Sequence, residues 1–433
     1  MKHKIGLYTA LSIVIANMVG TGVFTSLGFQ LFGTSDIAAI LSLWVIGGVV
    51  AILGSFAYSE LGAAIPKSGG EYRFLSETFH PFLGFLSGWV SATIGFAAPI
   101  AAAAWALGKY LNTINPSLPA QWIGFIVIIL ITIVQSTNHQ IGGGFQRYAT
   151  SIKIGLILVF ILVGAFATTQ LDFSILPTAA TWHDMMQPSF AVSLVYVSYA
   201  YSGWNASSYI AGEMYKPERN IPISILGGTL LVALLYIGLN FIFLKTAPLN
   251  EMRGVPEVAF VSAKYIFGAG GSKLVSLMIS LLLVSTISSM IIVGPRVINA
   301  IGEDYPIFKI VSHKNKHGIP VVAIISQSAI ASILLFSSTF DTIITYISFT
   351  LSLFSTLTVL GVFFHRKKYP DLARPYKTWG YPFTPAIYVA INCWFLYFVF
   401  TQKTAESLIG LGVVALGAIF WLVSHKRVNK PAV

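Results

Sequence analysis

Apolar runs long enough to cross a bilayer recur along the whole 433-residue chain. About 20 apolar residues suffice to span the hydrocarbon layer. Twelve such segments are predicted, at about 7–32, 36–62, 81–111, 120–138, 145–168, 186–212, 220–245, 270–302, 319–337, 340–364, 383–402 and 405–425. The longest loops, 63–80, 169–185 and 246–269, are too small to hold a soluble domain. Inside lipid every backbone N–H and C=O must find an internal partner, so apolar runs of this length must be helices. The predicted fold is therefore an all-α membrane protein of twelve transmembrane helices, a single integral domain over 1–433. Only 9% of residues are charged, against about 25% in soluble proteins. The one cysteine, Cys393, excludes an internal disulfide and a cysteine-based metal site. No cofactor is expected.

Charge placement sets the predicted orientation. With both termini cytoplasmic, 19 of the 26 Lys and Arg residues fall at inner ends and loops, 6 at outer ones, and Lys153 within a span. That is the positive-inside pattern. It also accounts for the net charge of +11. There is no long basic run, and no nucleic-acid partner is expected.

Two spans are interrupted. The first carries Asn17-Met18-Val19-Gly20-Thr21-Gly22-Val23-Phe24 at its centre. Glycine costs about 1 kcal/mol against alanine inside a helix, so two of them around a threonine mark either a close helix contact or a break. A break points bare N–H groups, carrying about half a positive charge, into the midplane. Such a terminus suits a carboxylate. The sixth span carries Tyr199-Ala200-Tyr201-Ser202-Gly203-Trp204-Asn205, again poor choices for a lipid-facing helix. Interruptions in spans one and six are what two five-span halves of opposite orientation produce. Paired broken helices at matching positions point to a transporter's binding site.

Lys153 lies about two turns into the fifth span. A lysine at depth costs several kcal/mol unless it snorkels to the surface or is paired. Its alternative partners are carbonyls freed where the first span breaks, in which case a fixed ammonium replaces a bound Na⁺. Span eight offers a hydroxyl cluster, Ser285, Thr286, Ser288 and Ser289. Most of it reads as helix-packing glue, with Ser285 and Ser288 expected to reach the lysine or an ion. No Asp or Glu lies mid-span. Glu60, Glu213, Glu303 and Asp304 fall at inner ends, Asp36, Asp172 and Asp341 at outer ones. No nucleophile–base set or metal cluster appears within the spans, so the chain does not read as an enzyme.

The pairing of Gly20-Thr21-Gly22 with Tyr201-Ser202-Gly203-Trp204-Asn205 resembles the amino acid–polyamine–organocation superfamily, and within it the L-type amino-acid transporters. The loops Ile65-Pro66-Lys67-Ser68-Gly69-Gly70-Glu71-Tyr72 and Gly212-Glu213-Met214-Tyr215-Lys216-Pro217-Glu218-Arg219-Asn220-Ile221-Pro222 are similar to the family's, and Arg374-Pro375-Tyr376-Lys377 to its bacterial members. The resemblance covers nearly the whole chain. It implies two inverted five-helix repeats (about 7–168 and 186–364) and two extra helices (about 383–425). It implies an amino-acid substrate, its carboxylate on the N–H groups of Gly20, Thr21, Gly22 and Val23. The ammonium would meet carbonyls around Met18, Tyr199, Ala200 and Ser202, beside Gly203. Tyr199 would gate, Trp204 and Asn205 would shape the pocket, Tyr236 would link to gating, and Lys153 would hold the sodium position.

This chain departs from the family at Ser202, where many relatives have glycine. No cysteine lies in 109–119, so no disulfide-linked heavy chain is expected. The reading is a sodium-independent exchanger of small or medium neutral L-amino acids in a bacterial plasma (inner) membrane. A proton-coupled symporter and an amino-acid-sensing receptor on the same fold are the alternatives.

Overall fold

The computed structural model describes residues 4–137, 139–169, 173–337 and 339–428. The predicted loop 169–185 thus has residues 170–172 outside the described ones. Among the described residues the regular structure is helical, apart from one isolated parallel bridge between Ile5 and Met214. Among the described residues ten helical stretches are long and apolar enough to cross a membrane, counting the interrupted stretches Leu7–Gln30 and Pro81–Asn112 as one each, and Val321–Ser337 is a shorter apolar helix.

The first span divides into α1 (Leu7–Met18) and α2 (Thr21–Gln30). Val19 (φ −74°, ψ 87°) and Gly20 (φ −133°, ψ −146°) leave helical geometry between them. There follow α3 (Ile37–Ala64), a short α4 (Glu71–Thr78), α5 (Pro81–Val90) and α6 (Ala97–Asn112). Asp36 caps α3, its Oδ1 accepting from Ala39 N at 2.7 Å, the expected role of an Asx side chain at a helix start. A single π turn, Ser91–Gly95, joins α5 to α6. Then come α7 (Ala120–Thr137), α8 (His139–Phe166) and α9 (Ala179–Met185).

The sixth span is also split. α10 (Pro188–Tyr201) ends at Ser202 in extended geometry, Gly203 takes φ +92°, and α11 (Ala206–Tyr209) resumes. A left-handed φ of this size is readily available only to glycine. The remaining helices are α12 (Pro217–Thr246), α13 (Leu249–Met252), α14 (Val258–Asp304, kinked at Gly268), α15 (Val321–Ser337), α16 (Phe340–Lys368), α17 (Phe383–Gln402) and α18 (Thr404–Val428).

Burial separates the centre of the bundle from its rim. In the first span 89% of the apolar window is buried, and in α18 only 22%. An apolar helix buried all round sits inside the bundle, whereas α17 and α18 present Trp394, Tyr397, Leu408 and Phe420 outward, as a lipid-facing surface does. α1 packs on α12 and α8, and α2 on α10. The two interrupted spans therefore meet at the core.

Candidate functional site

The close approach of the broken spans depends on Gly22. A Cβ there would stand 2.4 Å from Ala200 Cα, so only glycine lets α2 lie against the end of α10. The close-contact explanation of this glycine and the break explanation are thus both realised. At Gly203 a Cβ would stand 3.0 Å from Asn17 O, so the span-six break also lies close against α1.

The polar groups released by the breaks converge. A helix leaves its first four N–H groups without an intrahelical partner; in α2, with Gly20 at the N-cap, these belong to Gly20, Thr21, Gly22 and Val23. On the other side, Tyr236 of α12 donates to Met18 O at 2.5 Å and lies 3.0 Å from Ala200 O. One hydroxyl proton serves two carbonyls, one from each break. The Tyr199 carbonyl accepts from Ser202 N (3.0 Å) and Ser202 Oγ (2.7 Å). The Tyr199 hydroxyl pairs with Thr21 Oγ1 at 2.8 Å, tying α10 to the first turn of α2.

Lys153 is fully buried. Its ammonium donates to Val19 O at 2.7 Å and to Thr286 Oγ1 at 2.8 Å, and Thr286 itself donates to Val19 O at 2.8 Å. The lysine thus reaches into the break of span one and does not snorkel. Ser285 and Ser288 do not meet it, contrary to expectation. Gln146 of α8 donates to Ser285 (3.1 Å) and Gln135 of α7 to Ser288 (2.8 Å). The physical reason is helical spacing: residues three apart share a face. Thr286 and Ser289 face the first span, where Asn17 donates to Ser289 at 2.5 Å, while Ser285 and Ser288 face α7 and α8.

Two hollows adjoin the breaks. The smaller, about 10 Å³, is lined by Gly20, Thr21, Gly22, Tyr199, Ser202 and Thr286 among others, which is room for a single water. The larger, about 120 Å³, shares Asn17, Pro99, Tyr199, Ser202 and Met290 with it and extends past Gly203, Trp204 and Asn205 toward α17. The π turn in the third span also lines it, through Ser91 and Gly95; such turns recur at functional sites. Trp204 packs edge-on against Tyr58 with ring centroids 4.5 Å apart.

One lining residue was not foreseen. Glu71, the first residue of α4, is buried and forms part of this wall. Its carboxylate accepts from Tyr58 Oη, from Asn205 Nδ2 at 3.1 Å and from Ser87 Oγ at 3.4 Å. Burial pushes its pKa up to about 7, against the opposing pull of those three donors. Hydropathy places Glu71 in a polar loop, and the buried position of that loop was the missing information.

Contacts lock the bundle on both sides of the broken span six. On the side before the break, Phe29 stacks on Tyr196 (5.6 Å) and Phe340 (5.5 Å), and Trp105 on Phe340 (4.9 Å). On the side after it, Arg296 pairs with Glu213 at 3.1 Å and Arg73 with Asp304 at 2.5 Å. The bridge of Ile5 to Met214, with Ile5 N donating to Glu213 O at 2.8 Å, adds to the second lock.

A family model described as amino acid permease matches residues 5–420. The serine/threonine exchanger SteT of Bacillus subtilis is 30% identical over 400 residues, covering 90% of this chain and 89% of that protein. The human cystine/glutamate transporter is 28% identical, covering 92% of this chain and 80% of its own. The mouse Asc-type amino acid transporter 1 is 27% identical over 99% of this chain and 84% of its own.

Proposed function

The chain belongs to the amino acid permease family, and from that premise we propose that it is a sodium-independent exchanger of small or medium neutral L-amino acids, working by alternating access. The observation that carries the reading is the meeting of the two breaks. The N-terminus of α2 and Met18 line the smaller of two adjoining hollows, and the Tyr236 hydroxyl joins the Met18 carbonyl to that of Ala200. A free amino acid is a zwitterion. Its carboxylate matches the N–H groups of Gly20, Thr21, Gly22 and Val23, and its ammonium matches the carbonyls of Met18 and Ala200, with those of Tyr199 and Ser202 nearby. Half-helix ends used in this way are the general logic of transporter sites.

Lys153 supports independence from sodium, because its ammonium holds a carbonyl freed by the break. Tyr199, bonded to Thr21 across the smaller hollow, acts as the gate, and Trp204 and Asn205 shape the wall beyond it. The name of the Bacillus relative, a serine/threonine exchanger, supports small neutral substrates. The reading places both termini in the cytoplasm of a bacterial cell, with two inverted repeats over about 7–168 and 186–364, extra helices over about 383–425, and no disulfide-linked heavy chain.

Purified protein in liposomes tests it. Vesicles loaded with alanine or serine are expected to take up labelled substrate, and empty vesicles are not. Equal uptake into empty vesicles refutes exchange. Accumulation in empty vesicles under a pH gradient selects a proton symporter, and binding without uptake under every condition selects a receptor.

A further inference from the structure

Five carboxylates at the predicted inner ends and loops have cationic partners. Glu60 has Arg366 and Arg374, Glu77 has Lys67, Glu213 has Arg296, Glu303 has Lys314, and Asp304 has Arg73. Glu71 differs. The groups that bond it are the phenol of Tyr58 on α3, the hydroxyl of Ser87 on α5 and the amide of Asn205, which directly precedes α11. The other ionisable groups near enough to sense its charge are the phenols of Tyr209 on α11 and Tyr388 on α17, neutral themselves. On its own helix, Arg73 and Tyr72 are both turned to Asp304. A buried carboxylate bonded only by neutral donors is costly to keep charged, and this one stands at a cavity wall where water can deliver a proton.

Asn205 gives that proton a mechanical consequence. It follows the Ser202–Gly203 break directly, and its amide bonds both Glu71 and Tyr209. The bond to Glu71 pins the second half of span six to α4, on the side where Arg296 and Glu213 also hold.

We propose that Glu71 is a proton-binding positioning residue of the transport cycle: as a carboxylate it holds the second half of span six through Asn205, and as a carboxylic acid it releases that half to move. The proton comes from cavity water and forms an O–H bond on one carboxylate oxygen. Bonds to an ionised acceptor are about twice as strong as neutral ones, so neutralising Glu71 weakens the hold without breaking the chain contacts around it. The consequence falls on the rate of the conformational step and not on substrate affinity.

This rests on the exchange reading, and the test keeps the two separable. Exchange is measured in liposomes with the same pH on both faces, between about pH 6 and about pH 8, a window around the value of about 7 given above. The wild-type turnover number is expected to rise several-fold as pH falls, at nearly constant KM. Glu71→Gln is expected to run at the acid-side rate throughout, and Glu71→Asp to keep a pH step. A Glu71→Gln protein that retains the wild-type step overturns the proposal, as does a wild type with flat turnover. Infrared difference spectra of the detergent-purified proteins read the proton directly and need no transport. A protonated-carboxyl band that appears at the acid end in wild type and is missing in Glu71→Gln supports the proposal. The same band in both proteins, or in neither, overturns it. Absence of exchange by the wild type at every pH is a failure of the exchange reading, and the infrared band then decides the proton site alone.

Discussion

Lys153→Met isolates the ammonium. Methionine is long and unbranched, so it refills much of the space the lysine stem occupies while removing the charge and its donors. The loss can be worked from the site. Lys153 donates to Val19 O at 2.7 Å and to Thr286 Oγ1 at 2.8 Å. In the variant the Val19 carbonyl is not orphaned, because Thr286 still donates to it at 2.8 Å. The net deficit is therefore about one hydrogen bond from a charged donor, roughly 1.5–3 kcal/mol. At about 1.4 kcal/mol per tenfold, kcat/KM for exchange falls about tenfold to about a hundredfold. Lys153→Ala adds the cost of an emptied, fully buried site and falls further, with lower thermal stability. Thr286→Val removes both its bond to Val19 O and the acceptor of one Lys153 bond, and costs about 1.5–3 kcal/mol. Because Lys153 and Thr286 share the Val19 carbonyl, the double variant should depart from additivity. The assay is labelled-substrate exchange in liposomes, normalised to reconstituted protein, with substrate binding in detergent as a second readout. Lys153→Met with wild-type kcat/KM in both directions refutes the reasoning, since the ammonium would then contribute nothing to the break.

Gly22→Ala places a Cβ 2.4 Å from Ala200 Cα; substrate binding is expected to be lost while the protein still inserts and runs as a single species in size-exclusion chromatography. Tyr236→Phe leaves the Met18 and Ala200 carbonyls without their hydroxyl, an unmet cost of about 1–3 kcal/mol that a substrate ammonium would relieve, so calorimetry should find tighter binding alongside slower turnover. Glu60→Gln strands Arg366 and Arg374, and Thr378 N, which donates to it at 2.6 Å; breaking a buried pair costs about 3–5 kcal/mol, to be read as a lowered melting temperature in detergent. The pKa of Glu71 is raised on folding from 4.5 to about 7, so the native state binds more protons in that interval and stability falls as pH rises through it; Glu71→Gln should flatten that part of the melting-temperature profile.

The breaks were legible because their sequence opposes the element that holds them. Gly20, Gly22 and Gly203 each weaken a helix that the surrounding apolar run demands, and a local conflict of this kind marks a functional site. Lys153 was legible for the same reason, being a charge where lipid tolerates none. Glu71 was not. A carboxylate in a short polar loop conflicts with nothing around it in sequence, and its cost arises only once α4 folds in against Tyr58, Ser87 and Asn205.

The hydroxyls of span eight show where the limit lies. Composition located the cluster, but four hydroxyls within five helical residues point in different directions, and only the roll of α14 about its axis decides which meets the lysine. That roll is set by packing. It turns the Thr286–Ser289 face to Val19 and Asn17, and the Ser285–Ser288 face to Gln146 and Gln135. The spacing of three was readable as two pairs, so the choice lay between faces and not among four residues. Had the partner of Lys153 been sought as a face, Thr286 would have come with Ser289, and Asn17 would have followed as the residue on span one that the same face must satisfy. A buried polar cluster is better read from sequence as faces to be matched against other spans' unmet groups than as single residues.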